Sequence, residues 1–242
     1  MSPRLHDQVP NAWDPLPSPA SVMTIGAHPD DAEFGAGATL FTWTAKGALA
    51  TIVIATDGSK GSWDPGVAHA DLVAQRRTEQ MSAAVVLGAE SIAWLGQPDG
   101  ELRNTPALRE AIVSLIRKHR PDVVVTHDPW QHYQLHPDHR STGLLALDAV
   151  VAAREPRFYP DQGLDAHRPT AVLLWSADDP DHAEPVDDQA FDAKVEALLC
   201  HTSQSETTMG KAAASDAARE RFVRQIDEQL RQGGEAFGLD RA

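Results

Sequence analysis

Short β-branched apolar runs alternate with segments of helical period along most of this chain, and no other feature narrows the fold so far. Residues 21–27 (SVMTIGA), 48–56 (ALATIVIAT), 91–95, 121–126 (PDVVVT) and 170–176 (TAVLLWS) read as strands. Three of them are nearly unbroken apolar runs, the pattern of strands buried on both faces. Between and after them, residues 35–46, 71–87, 105–119, 138–153, 188–200 and 215–231 carry apolar residues at helical spacing. Gly88 is placed to end the second helix, and Pro106 and Pro121 bracket the third. Five strand–helix alternations predict an α/β chain: one Rossmann-like three-layer domain with a mainly parallel sheet and helices on both faces. The expected division is an extended proline-rich arm over residues 1–20, with five of the 17 prolines, and a single domain over 21–242.

Composition narrows the partners. The 242 residues are 42% hydrophobic, enough for a sizeable core, and their formal net charge is -14. Such a balance argues against nucleic acid or an anionic membrane as a partner through a general basic surface. No stretch reads as a signal peptide or a membrane span, so a cytoplasmic protein is the expectation. A single cysteine, Cys200, excludes an intrachain disulfide framework and any multi-cysteine zinc motif. The acidic stretch 178–188 reads as a solvated loop leading into a helix.

Chemistry gathers beyond two strand ends, where open α/β sheets bind ligands. After the first strand comes His28-Pro29-Asp30-Asp31. After the PDVVVT strand, four of the 11 histidines fall within thirteen residues: His127, His132, His136 and His139, the last two in His-Pro-Asp-His. Random scatter would put fewer than one histidine in that window. His136 and His139 are three apart, with Pro137 suited to a first helical turn, so both rings can share one face. One imidazole and one carboxylate from the first loop with one imidazole from the second make a His₂Asp set, the stock of a catalytic zinc site with an open position. Asp30 and His136 remain for the base and for the group that meets a developing oxyanion.

AHPDD, continuing as AEFGAGATL, and HPDHR resemble the two signature blocks of the LmbE/PIG-L family of metal-dependent N-deacetylases. The likeness runs from about residue 21 to 204 and takes in Thr56-Asp57-Gly58, Arg76-Arg77-Thr78-Glu79, Asp99-Gly100 and His201-Thr202-Ser203-Gln204. It implies a hydrolase that removes acetyl from an N-acetylglucosaminyl-type small glycoside, with metal-bound water as nucleophile. By motif position it implies His28, Asp31 and His139 as ligands of Zn²⁺, with Fe²⁺ as the alternative ion. Asp30 becomes the general base and His136, as imidazolium, the oxyanion partner. Asp138 would orient His136 or its neighbours. Arg76, Asp99 and His127 are the expected substrate contacts. Some relatives carry a tyrosine two residues before the first histidine of the second block; here that position is Gln134, leaving His132 or Tyr133 to fill the space. Trp63 and Trp130 lie in loops flanking the site, where an indole can stack on a sugar face. The partner implied is a small amino sugar, and the arm together with family habit points to a homo-oligomer. Two other readings compete: an amidase for a larger amide such as a thiol conjugate, and a non-catalytic sugar-binding relative.

Overall fold

The computed structural model describes residues 14–242. Its centre is a five-stranded, wholly parallel sheet: β1 (Ser21–Gly26), β2 (Leu49–Thr56), β3 (Ser91–Gln97), β4 (Val123–His127) and β5 (Ala171–Trp175), in the order β3-β2-β1-β4-β5. β1 is central, pairing Val22 with Ala50 on one side and with Val123 on the other. The chain winds outward from β1 in one direction through β2 and β3, then returns to start the other half at β4. The switch therefore lies between the carboxyl ends of β1 and β4, which carry the two histidine motifs.

Period-two alternation splits the strand residues between two layers. Met23, Ile25, Val53 and Val124 face α3 (Pro106–His119) and α4 (Pro137–Ala153) through Ile112, Ile116, Leu145 and Ala149. Val22, Ala50, Val123 and Val125 face the opposite layer, where Leu40 and Trp43 of α1 (Asp31–Ala45), Ala83 of α2 (His69–Val86) and Ala197 of α5 (Asp188–Leu199) fill the core. A last helix, α6 (Asp216–Glu235), packs Phe222 and Ile226 on Val195 and Leu198. Helix starts follow local chemistry: Thr105, Asp187 and Ser215 each accept a hydrogen bond from a backbone N–H of the first turn.

The expected elements are all present, with shifted ends. The largest shifts are four residues each: α1 begins at Asp31 and not at residue 35, and α6 ends at Glu235 and not at 231. The missed first turn starts inside the His-Pro-Asp-Asp block that follows β1, and Gly35 and Gly37 lower helix propensity just behind it. Packing requires one of them: a Cβ on Gly35 would sit 2.4 Å from the Trp175 ring. The 178–188 stretch is a loop, as expected. Its last residues serve α5, Asp187 as cap and Asp188 in the first turn, while Asp179, Asp181 and Glu184 border a cavity lined also by His28 and His127. Of the expected arm, residues 1–13 lie outside the described residues. The remainder lies on the domain, Leu16 N–H donating to Glu184 and Ala20 N–H to Asp122. Among the described residues, no helix is long and apolar enough to cross a membrane.

Candidate active site

A cavity of about 1410 Å³ opens over the carboxyl ends of β1 and β4. His28, Asp30, Asp31, Arg76, Asp99, His127, His136 and His139 are among its walls. Strand β1 ends at Gly26, and the chain turns sharply through His28-Pro29-Asp30 into α1. Asp30 takes φ 111°, a left-handed conformation that aspartate tolerates better than most side chains. Its surroundings over-determine that turn: Arg76 donates to the Pro29 carbonyl and Asp30 N–H donates to Gln80 at 3.1 Å.

His28, Asp31 and His139 converge. His139 Nε2 lies 3.3 Å from His28 Nδ1 and 3.4 Å from Asp31 Oδ1, and His28 Nδ1 lies 3.5 Å from Asp31 Oδ2. Ligands at about 2.0–2.1 Å around a tetrahedral zinc stand about 3.3 Å apart. The donor chemistry fits a cation as well. His28 Nε2 is 3.2 Å from both Asp99 and Asp138, so its proton belongs on that nitrogen and Nδ1 offers a lone pair. Burial works against a charge on His28, but the hydrogen bonds it donates to Asp138, Asp31 and Asp99 raise its pKa well above the ordinary value, so a cation would take the Nδ1 lone pair by displacing a proton. Burial holds His139 down at about 4, a neutral ring with a lone pair available. Two imidazole nitrogens facing each other beside a carboxylate thus suit a divalent ion. Three overlapping sets of donor atoms lie within 4.8 Å of one another here, namely His28, His136 and His139; His28, Asp99, His136 and Asp138; and Asp31, His127 and His139.

Asp30 and His136 border the same space. Burial pushes the Asp30 carboxyl up to about 6, against the pull of Arg76, whose guanidinium is 3.4 Å away. A carboxyl near pH 6 suits proton transfer at neutral pH. His136 caps α4: its Nδ1 accepts the Asp138 N–H at 3.3 Å, so Nε2 carries the ring proton. Burial and the adjacent His28 lower its pKa. With Nδ1 engaged by the Asp138 N–H, the proton on Nε2 is the one the ring can donate into the cavity.

A model of one protein family, described as PIG-L: GlcNAc-PI de-N-acetylase, matches residues 23–150. The chain belongs to the PIG-L family. It is 36% identical over 194 residues to the diacetylchitobiose deacetylase of Thermococcus kodakarensis, covering 79% of this chain and 72% of that relative. Identity is 34% over 167 residues with the 1D-myo-inositol 2-acetamido-2-deoxy-alpha-D-glucopyranoside deacetylase of Geodermatophilus obscurus, where the match covers 59% of this chain and spans just over half, 56%, of that relative's length. Among solved structures, the N,N'-diacetylchitobiose deacetylase of Pyrococcus horikoshii, complexed with an inhibitor, superposes with a TM-score of 0.81 at 30% identity, over 92% of this chain and 81% of the other.

Within this PIG-L domain the remaining expected residues take definite places. Arg76, which could have been an exposed helix residue, is buried and donates to the carbonyls of Pro29 and Gly58. Gly58 is needed there, because a Cβ would meet the guanidinium at 2.7 Å. Asp99 engages His28 and accepts the Lys60 N–H, and although burial opposes it, these contacts bring its carboxyl down to about 2. His127 is buried against Asp31, its Nε2 3.1 Å from Oδ2. Asp138 binds His28 through its carboxylate and His136 only through its backbone. Tyr133 is 83% exposed and packs against His132, whereas Gln134 borders the cavity. Trp63 and Trp130, both exposed, stand on the cavity walls.

Sequence reading missed three contributors. Trp175 donates its indole N–H to His127 at 3.0 Å; only its position at a strand end signalled it. Gln80 links Asp30 to Glu33. Glu79, noted only as part of a motif, receives Thr202 and Ser203 of the late His-Thr-Ser-Gln element.

Proposed function

We propose that this chain is a metal-dependent N-deacetylase that hydrolyses the acetamide of an N-acetylglucosaminyl-type small glycoside. The observation that carries the reading is the 3.3 Å approach of His28 Nδ1 to His139 Nε2 beside the Asp31 carboxylate, in a cavity that also holds Asp30 and His136. His28, Asp31 and His139 would hold the ion, for which zinc is the first choice by donor type. When bound, such an ion supplies Lewis-acid polarisation of a carbonyl and lowers the pKa of water. Asp30 takes the proton from the attacking water and gives it to the departing amine. Its raised pKa lets one group do both near neutral pH. His136 donates its Nε2–H to the carbonyl oxygen as that oxygen gains charge. Asp99 and Asp138 hold the proton of His28 on Nε2, and Arg76 keeps the Asp30 turn in place. The amino-sugar preference is supported by the deacetylase relatives and by the two indoles on the cavity walls.

The size of the cavity favours one competitor, an amidase for bulkier amides. Acetate release from N,N'-diacetylchitobiose by the zinc-loaded protein tests both. Turnover that is abolished by Asp30→Asn supports the deacetylase. No turnover there, with cleavage of larger N-acyl conjugates, would assign the amidase instead.

A further inference from the structure

Trp175 and His127 have no part in the proposed chemistry, yet both are built tightly against it. Trp175 ends β5, and its indole N–H points at His127 Nδ1, 3.0 Å away. An indole nitrogen can only donate, so Nδ1 must present its lone pair and the ring proton must sit on Nε2. That nitrogen lies 3.1 Å from Asp31 Oδ2, an acceptor. The Ala27 N–H also approaches Nε2, at 3.3 Å. Two donors cannot both be served by that ring, and the shorter, charge-assisted contact to the carboxylate prevails. With its Nε2 lone pair absent, His127 is no metal ligand, although its ring atoms fall within one of the compact donor sets.

The consequence falls on Asp31. Its Oδ2 receives the His28 N–H at 2.7 Å and the His127 Nε2–H, leaving Oδ1 turned toward His139. The surroundings hold this chain in register. The Trp175 ring occupies the space a Cβ of Gly35 would need, and a Cβ on Gly143 would come within 2.5 Å of the His127 carbonyl oxygen. His127 also stacks on the His139 ring at 4.3 Å.

We propose that His127, held in one tautomer by Trp175, is a positioning residue that fixes the Asp31 carboxylate with Oδ1 presented to the metal. This rests on the reading of His28, Asp31 and His139 as ligands, but it concerns how tightly they bind and not whether they do. Outer-shell partners of this kind typically contribute about 10- to 100-fold in metal affinity.

The test is zinc affinity by chelator competition, independent of turnover, on wild type, Trp175→Phe, His127→Phe and His127→Gln. Trp175→Phe keeps an aromatic ring at the end of β5 but loses the N–H donor with part of the indole, and it should weaken zinc binding about tenfold at unchanged stoichiometry. His127→Phe should weaken it further, and His127→Gln, whose amide can still donate to Asp31, should recover most of the loss. Should His127→Phe fail to fold, the Trp175→Phe and His127→Gln pair still decides. Wild-type affinity in Trp175→Phe, or a His127→Gln protein that binds no zinc because a ligand is gone, would overturn the proposal. A wild-type protein that binds no zinc would instead sink the ligand reading beneath it.

Discussion

Asp30 carries a cost that can be measured apart from catalysis. Burial lifts its carboxyl from 3.8 to about 6, so the ionised form is less favourable in the fold than in the unfolded chain. The difference amounts to about 3 kcal/mol. A group whose folded pKa lies above its unfolded value contributes fully below the lower value and loses that contribution as pH rises through the higher one. For Asp30 the window runs from about pH 4 to about pH 6, and at pH 8 the whole cost is present. Asp30→Asn removes the charge while keeping the shape, and asparagine accepts the positive φ at least as well. The metal-free variant should therefore melt above metal-free wild type at pH 8. For a domain of this size, about 3 kcal/mol corresponds to about 6–12 °C. The gap should shrink several-fold by pH 4. In the zinc-loaded protein the same change should lower kcat by about 10²–10⁴ with zinc content retained. Calorimetry at the two pH values with a chelator present, and metal analysis with acetate release, read these out. Equal melting of the two metal-free proteins at pH 8, or loss of zinc together with activity, would refute the placement of Asp30 as a buried base beside the ligands.

Other substitutions probe the rest of the site. His139→Ala should strip zinc, and full occupancy measured by elemental analysis would contradict its place among the ligands. Gly35→Ala gains about 1 kcal/mol of helix propensity but drives a Cβ into the Trp175 ring, an overpacking cost of about 1–3 kcal/mol. Its thermal midpoint should not rise, and a clearly stabilised variant would show that the contact gives way freely. Trp63→Ala should raise KM for a disaccharide about tenfold with kcat little changed, as expected for lost stacking (about 1 kcal/mol or more); an unchanged KM would remove that indole from substrate recognition.

Much of this was legible along the chain because it is encoded locally. Apolar runs such as ALATIVIAT and PDVVVT mark strands buried on both faces, since only a doubly covered sheet removes the need for polar alternation. His-Pro-Asp-Asp and His-Pro-Asp-His mark the two strand ends where ligands gather, because the number and type of donors can be read without coordinates. The start of helix α1 was less legible: it lies inside the His-Pro-Asp-Asp block with Gly35 and Gly37 just behind it, and the reason for Gly35 is Trp175, 140 residues away in sequence.

What the tertiary structure alone decided is how donors are shared. Sequence set out the histidines and aspartates but not which nitrogen of each ring carries the proton. That depends on partners brought in by packing: Asp99 and Asp138 on His28, Trp175 on His127, and the Asp138 N–H on His136. The same holds for Asp30, an ordinary aspartate in sequence, whose carboxyl lies near 6 only because the fold removes it from water. Residue types and their order are local properties of the chain, whereas tautomers and ionisation follow from desolvation and from contacts between strand ends that meet only once the sheet has formed.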